Sequence, residues 1–274
     1  MGSSMSKLDF LQGAYCPLIV PFRDGKIDFD TYGRLIERQI VEGSHGLLVN
    51  ATSGEPTTLT VEERGQLVEF AIKTSNGRRP VCAGTASESF EATASLIDRS
   101  DKVGADSILV VTPLYAAPPQ RGAVSYFGKL GARTRRPFLI YHIPGRAGFA
   151  LTVDTLEAIK DQVPHFVGLK NTDTDVGFVT GALPRLGRGF RIFAGLELPT
   201  LPMLGIGRLR NDDYCKQCCA TPGGTTLRDV RQKRHRWCYR AELKTLPTVS
   251  WGCAGKQPDS GQIHAQAAGR PQGE

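Results

Sequence analysis

Short apolar runs of strand length alternate with helix-period segments along residues 1–207, and this alternation constrains the fold more than any other feature of the sequence. It is typical of repeated βα units built around a parallel sheet. The runs at 107–111 (SILVV) and 138–141 (FLIY) are almost continuously apolar, as expected for strands covered on both faces. Strands are predicted at 14–20, 46–50, 80–84, 107–112, 138–143, 165–170 and 190–194.

Helix-period segments separate these strands. Apolar residues share one helical face at 29–42, and the capping-box sequence at 60–63 (TVEE) predicts the start of a helix that runs towards Lys73. Further helices are predicted at 90–103, 122–132 and 152–162. Units of about 30 residues favour an α/β fold of the (β/α)8 TIM-barrel type over an open sheet. No G-x-G-x-x-G motif follows the first strand to indicate a dinucleotide site.

Residues 208–274 differ in composition from the rest of the chain. The whole sequence has 34 Lys and Arg and 27 Asp and Glu residues, of which 12 and 6 lie in this segment, so residues 1–207 are close to neutral. The segment also holds five of the seven Cys and both Trp. We therefore predict a barrel domain over 1–207 and an atypical basic, Cys-rich tail over 208–274. Six of the seven net positive charges thus lie in the tail, and the net charge of +7 does not by itself indicate a nucleic-acid partner.

The eighth strand of a barrel should follow residue 207, but the sequence at 208–213 is RLRNDD. No sustained apolar period follows it, so strand 8 and the C-terminal helices are predicted to be lost or altered. Our hypothesis is that the tail is read in a shifted frame or is disordered. Two alternatives are an RNA-contacting basic run at 228–240 and a zinc site. The zinc ligands would be Cys215, Cys218, His235 and Cys238.

Two kinds of targeting segment are not visible in the sequence. It contains no run of about eighteen apolar residues, the length that a membrane-spanning helix needs. It also has no charged N-terminal segment leading into an apolar stretch, which is the pattern of a secretory signal. The expectation is therefore a cytoplasmic protein with neither a membrane nor a nucleic acid as partner.

Polar residues at the carboxyl ends of the predicted strands form the candidate site, because the active sites of barrels lie at that face. Lys170 ends an otherwise apolar strand, and burial lowers the pKa of a lysine, as a Schiff-base nucleophile requires. The turn at 52–55 (TSGE) offers hydroxyl and backbone N–H groups to a carboxylate. Tyr141 lies near the end of the fifth strand, and Arg146 follows shortly after it. A structural turn, a core tyrosine and a solvated arginine are the alternative interpretations.

These residues resemble the dihydrodipicolinate synthase and N-acetylneuraminate lyase family of class I pyruvate aldolases. The resemblance covers about three quarters of the chain, from residue 13 to residue 207. Several separate motifs occur in the family's order and at its spacing. They are Thr52-Ser53-Gly54-Glu55 with Leu59-Thr60 and Glu63, Gly104-Ala105-Asp106, Thr112-Pro113-Leu114-Tyr115, Tyr141 with Pro144, and Gly168-Leu169-Lys170.

The resemblance implies a role for each matching residue. Lys170 would form an imine with pyruvate or another 2-oxo acid, and Tyr141 would act as its general acid and base. Thr52 and Tyr115 would complete a hydroxyl relay, with Tyr115 reaching the site of a neighbouring subunit in a homo-oligomer, a dimer or a tetramer. Thr52 and Ser53 would bind the pyruvate carboxylate. The imine itself is the electron sink, so neither a metal nor an organic cofactor is expected.

Arg146 bears on the second substrate, because a guanidinium binds a carboxylate bidentately. Its position two residues after Pro144 is the one that binds the carboxylate of L-aspartate semialdehyde in dihydrodipicolinate synthases. The implied reaction is condensation of pyruvate with L-aspartate semialdehyde to 4-hydroxy-tetrahydrodipicolinate, as in lysine biosynthesis. Alternatives are a 2-keto-3-deoxy sugar acid aldolase or dehydratase of the same family, or an inactive relic with a truncated barrel.

Three residues beside the site depart from the family pattern. His142 replaces a common asparagine, Ala51 replaces a glycine before the Thr-Ser turn, and Leu114 replaces an aromatic residue. The departures keep the alternative substrates open.

Overall fold

A parallel sheet forms the centre of the molecule. The computed structural model describes residues 8–187, 189–196, 198–200 and 202–203, together with the backbone of 214–216. In this described part, eight parallel strands lie side by side in chain order. The strands are β1 (Tyr15–Pro17), β2 (Gly46–Val49), β3 (Val81–Gly84), β4 (Ser107–Val111), β5 (Phe138–His142), β6 (Phe166–Asn171), β7 (Arg191–Ala194) and β8 (Tyr214–Lys216).

Helices connect the strands, as the alternating pattern predicts. Thr60 caps the second helix, with its hydroxyl accepting from the backbone N–H of Glu63 and the Glu63 carboxylate accepting from the backbone N–H of Thr60. The helices of the described residues are α1 (Phe29–Val41), α2 (Val61–Ser75), α3 (Phe90–Lys102), α4 (Gln120–Gly131), α5 (Pro144–Ala147), α6 (Val153–Gln162) and α7 (Val176–Leu186). A small hairpin, Phe22–Arg23 with Lys26–Ile27, follows β1.

The sheet separates two apolar clusters, because successive side chains of a strand point to opposite faces. One cluster joins the sheet to the helices and includes Leu47, Ile108 and Ile140. The other fills the concave interior and includes Tyr15, Leu48, Leu109, Leu139 and Phe193. Strands covered on both faces explain the continuous apolar runs, and the predicted α/β barrel-type fold is confirmed.

A short backbone segment closes the described sheet after β7. Backbone pairing places Tyr214, Cys215 and Lys216 in parallel register with Ile192, Phe193 and Ala194 of β7. The short strand β8 thus lies further along the chain than residue 207, and the predicted loss or alteration of strand 8 stays a prediction. The predicted loss of the C-terminal helices, the zinc alternative and the basic run at 228–240 all lie outside the residues whose side chains are described.

The helices of the described residues are short and pack around the sheet. The longest, α2, has 15 residues. None of the helices in the described ranges is long and apolar enough to cross a bilayer.

Candidate active site

A lysine and a tyrosine lie side by side at the carboxyl ends of β5 and β6. Tyr141 and Lys170 are register partners across the two strands, and their neighbours Leu139 and Gly168 are partners two residues earlier. Both side chains therefore point to the same concave face. The Lys170 Nζ lies 3.8 Å from the centre of the Tyr141 ring. Lys170 is 7% exposed and Tyr141 is 8% exposed, so water screens the contact between ammonium and ring only weakly.

The surroundings of Tyr141 favour its ionised form. Burial raises the pKa of this phenol, but the positive charge of Lys170, the hydrogen bond with Thr52 and the nearby polar group of Thr172 lower it by more. The net result is a Tyr141 pKa below its ordinary value. A phenol shifted in this direction gives up its proton more easily, which suits a group that exchanges protons with bound substrate.

Thr52 comes from the turn after β2. The chain forms a short 3₁₀ helix at Thr52–Gly54, closed by Glu55 in the left-handed region with φ of 48°. This turn brings the Thr52 hydroxyl to 3.3 Å from the Tyr141 hydroxyl. Ser53 lies exposed on the same turn. The structure thus brings Thr52, Tyr141 and Lys170 together, as predicted from the strand ends.

Arg146 and Tyr115 are placed differently from this trio. Arg146 lies on the four-residue helix α5 directly after β5 and is exposed. Within the described ranges its guanidinium forms no ion pair. Tyr115 is 97% exposed, with a left-handed φ of 64°. It makes no contact with the trio in its own chain, so a role at the site of a neighbouring subunit stays a prediction.

The space beneath Lys170 is apolar and nearly filled. A cavity of about 20 Å³ lies there, which is room for about one water molecule. Its lining is Leu11, Tyr15, Leu48, Cys82, Leu109, Leu139, Lys170 and Phe193. Burial raises the pKa of the Cys82 thiol to about 12, although Ser107 and Lys170 oppose this shift. Cys82 is thus a neutral part of this lining.

Sequence reasoning missed two residues that adjoin the site. Thr172 follows Lys170 by two positions, and its side chain helps to lower the pKa of Tyr141. His142, which the sequence analysis treated only as a departure from a family pattern, is 1% exposed and hydrogen-bonded to Asn171. Sequence reasoning could have found both residues only because each lies within two positions of a catalytic candidate. In the part of the chain with described side chains, no group of three His, Cys, Asp or Glu residues is arranged to hold a metal ion.

The fold and the site together define a class: an α/β protein of the TIM-barrel type with a buried lysine–tyrosine pair where its parallel strands end. Residues 10–209 match the Dihydrodipicolinate synthetase family. The chain belongs to this family, whose members are lyases of the class I aldolase type. The resemblance found in the sequence is confirmed.

Two relatives show the extent of the match. The chain is 36% identical over 196 residues to a 4-hydroxy-tetrahydrodipicolinate synthase of Maridesulfovibrio salexigens, a match covering 72% of this chain and 67% of that protein. It is 39% identical over 198 residues to a synthase of the same name from Thermus thermophilus, covering 72% of this chain and 66% of the relative. The chain therefore spans about two thirds of the length of these relatives.

Comparison with solved structures supports the same family. The dihydrodipicolinate synthase of Aquifex aeolicus superposes with a TM-score of 0.72 at 33% identity, covering 75% of this chain and 69% of that one. The chloride-inhibited enzyme of Acinetobacter baumannii, complexed with pyruvate, superposes with a TM-score of 0.70 at 27% identity. That match covers 76% of this chain and 70% of the other.

Proposed function

We propose that the chain is a Schiff-base lyase or synthase that condenses pyruvate with an aldehyde, L-aspartate semialdehyde, to 4-hydroxy-tetrahydrodipicolinate. The observation that carries this proposal is the contact of Lys170 Nζ with the Tyr141 ring, with Thr52 hydrogen-bonded to the Tyr141 hydroxyl. A pyruvate complex of a relative and the names of the curated relatives support the substrates. In the proposed setting the reaction is a cytoplasmic step of lysine biosynthesis.

The chemistry begins at Lys170. Lys170 passes its proton to the ionised Tyr141 oxygen, and the neutral amine then adds to the C2 carbonyl carbon of pyruvate. The resulting carbinolamine loses its hydroxyl as water to form the imine. Tyr141 donates the proton that the departing hydroxyl needs, and it then accepts a proton from the pyruvate methyl group to give the enamine. The terminal enamine carbon bonds to the aldehyde carbon, whose oxygen takes up the proton held by Tyr141. The amino group of the semialdehyde then adds to the regenerated imine carbon and displaces the Lys170 amine, which closes the ring and frees the product. Protonation of the imine nitrogen stabilises each of these steps, so the proposed mechanism draws on no metal or organic cofactor.

The substrate carboxylates have separate partners in this proposal. The Thr52–Ser53 turn binds the carboxylate of pyruvate through hydroxyl and backbone donors. Arg146, exposed on α5 at the rim of the site, binds the carboxylate of the semialdehyde. Tyr115, also exposed, reaches the relay of a neighbouring subunit in a homo-oligomer.

Borohydride trapping tests the first half of the proposal. The intact mass of the purified full-length chain is measured after incubation with pyruvate and borohydride, and the adduct is located by peptide mapping. One pyruvate-sized reduced adduct on Lys170 is expected. No adduct, or an adduct elsewhere, contradicts the assignment of Lys170.

Steady-state kinetics test the second half. Arg146→Ala should raise KM for L-aspartate semialdehyde by about tenfold or more and leave pyruvate trapping unchanged, because the bidentate ion pair with the aldehyde is lost. Arg121→Ala, which removes another exposed arginine on α4, is the matched control and should behave like the wild type. Trapping of pyruvate without turnover of the semialdehyde would indicate a different aldehyde, such as a sugar-acid substrate.

A further inference from the structure

His142 lies immediately beyond the catalytic tyrosine and faces the helix layer rather than the concave site. It is 1% exposed. Its ring stacks on Phe178 of α7, with ring centres 4.6 Å apart and planes 27° from parallel. Its Nδ1 lies 2.8 Å from Oδ1 of Asn171, and the backbone N–H of Leu151 donates to its Nε2 at 3.2 Å. Every side of the imidazole is therefore in contact with the protein.

These partners define the protonation state of the ring. Because the Leu151 N–H donates to Nε2, Nε2 carries no proton, and the proton lies on Nδ1 and is donated to Asn171. A protonated imidazole would place two N–H groups against each other at Nε2. Asp173 and Asp175, the two acidic groups that face the ring, favour the charged form, but burial outweighs them and the pKa of His142 lies below its ordinary value.

The same side chain connects three parts of the site. His142 and Asn171 are the register pair that follows Tyr141 and Lys170, so their hydrogen bond ties the two catalytic strands together one residue beyond the catalytic pair. A backbone hydrogen bond from Thr172 N–H to the His142 carbonyl, 2.8 Å long, reinforces this junction. The bond from Leu151 closes the loop 143–150, because both ends of the loop are then held at His142. That loop carries α5 and Arg146.

We propose that His142 is a positioning residue, whose neutral side chain holds the loop 143–150 in a fixed relation to Tyr141 and Lys170 and so sets the affinity for the carboxylate of the aldehyde substrate. The inference rests on the proposed function, in which Arg146 binds that carboxylate. The new element is that the hydrogen bond from Leu151 to the His142 side chain holds the loop in place. The Nε2 contact with Leu151 controls KM for the aldehyde, whereas the Nδ1 contact with Asn171 maintains the junction of the two strands.

Two substitutions separate the contacts. His142→Asn places an amide near the position of Nδ1, so the bond to Asn171 can remain while the bond to Leu151 is lost. His142→Gln reaches the position of Nε2 and can accept from the Leu151 N–H. Circular dichroism first checks that both full-length variants are folded. The readouts are hydrogen exchange at the Leu151 amide, KM and kcat for L-aspartate semialdehyde, and borohydride trapping of pyruvate.

The expected result is a split between the two variants. In His142→Asn, the Leu151 amide should exchange faster and KM for the aldehyde should rise about fivefold to tenfold, the scale of one lost hydrogen bond. Its kcat and pyruvate trapping should stay near wild type. In His142→Gln, exchange and KM should return towards wild type. An unchanged KM in His142→Asn, or equal impairment of the two variants, overturns the proposal.

Failure of the proposed function gives a different pattern. In that case the wild-type chain traps pyruvate but does not turn over the semialdehyde. Exchange at the Leu151 amide needs no substrate and still decides the positioning role. Faster exchange in His142→Asn than in His142→Gln supports a loop held by His142, and equal exchange in the two variants overturns it.

Discussion

Removing the hydroxyl of Tyr141 is the most direct test of the proposed chemistry. Tyr141→Phe keeps the aromatic ring, so the contact with Lys170 Nζ, at 3.8 Å from the ring centre, can remain. It removes the hydrogen bond to Thr52, which at 3.3 Å is long for a bond between hydroxyls. The substitution therefore deletes a proton-transfer group and changes little else in a buried site.

The lost hydrogen bond affects stability slightly, whereas the lost proton-transfer group affects the rate strongly. A long hydrogen bond between neutral groups contributes about 0.5–1.5 kcal/mol to the free energy of unfolding at most, which corresponds to a fall of a few degrees in Tm. Loss of general acid–base catalysis lowers the rate by about 10²–10⁴-fold, or about 3–5 kcal/mol of activation free energy. We expect kcat for the condensation to fall by at least a hundredfold. Borohydride trapping of pyruvate should become slower but still reach one adduct.

Tyr32→Phe is the matched control. Tyr32 is a fully buried tyrosine of α1 whose hydroxyl has no hydrogen-bond partner in the described part of the chain. Its removal should leave kcat unchanged and the free energy of unfolding equal or slightly higher, because an unpaired buried hydroxyl is unfavourable. If Tyr141→Phe retains a third or more of wild-type kcat, or if Tyr32→Phe loses as much, the assignment of Tyr141 as acid and base is refuted.

Three further predictions concern the lysine, a helix cap and a buried histidine. Lys170→Met should abolish the pyruvate adduct in the mass spectrum and raise the pKa of the site tyrosine in an ultraviolet titration, because a cation that lowers it is gone. Thr60→Ala should lower the free energy of unfolding in urea by about 1 kcal/mol, since it removes the capping box of α2. Burial lowers the pKa of His142 in the folded state, with Asn171, Asp173 and Asp175 opposing the shift. Below about pH 6.5 the unfolded chain therefore binds more protons, and stability should decrease as the pH falls, by up to about 1.4 kcal/mol per pH unit for this group. An identical pH slope in His142→Asn would contradict the last prediction.

Apolar runs in the sequence and the helix-capping residues predicted most of the fold. The runs at β4 and β5 are apolar because those strands are covered on both faces, and each predicted strand of residues 1–207 overlaps an observed one. The first strand is shorter than predicted and ends at Pro17, although the Leu18 N–H still donates to the Leu48 carbonyl of β2. The helix α7 was not predicted. It contains Gly177, Gly181 and Pro184, which lower its intrinsic propensity, and it forms because Val179, Ala182 and Leu186 are buried against the sheet.

The sequence by itself determined where the strands lie along the chain, the polar strand ends and the family, because each depends on residue types at short spacings along the chain. Tertiary structure alone decided which of these residues meet. The register of β5 with β6 places Lys170 against Tyr141, and the turn after β2 adds Thr52 from 89 residues away. The closure of the loop 143–150 by His142 is likewise a property of packing. Register and side-chain contact depend on residues far apart in sequence, so no local pattern encodes them.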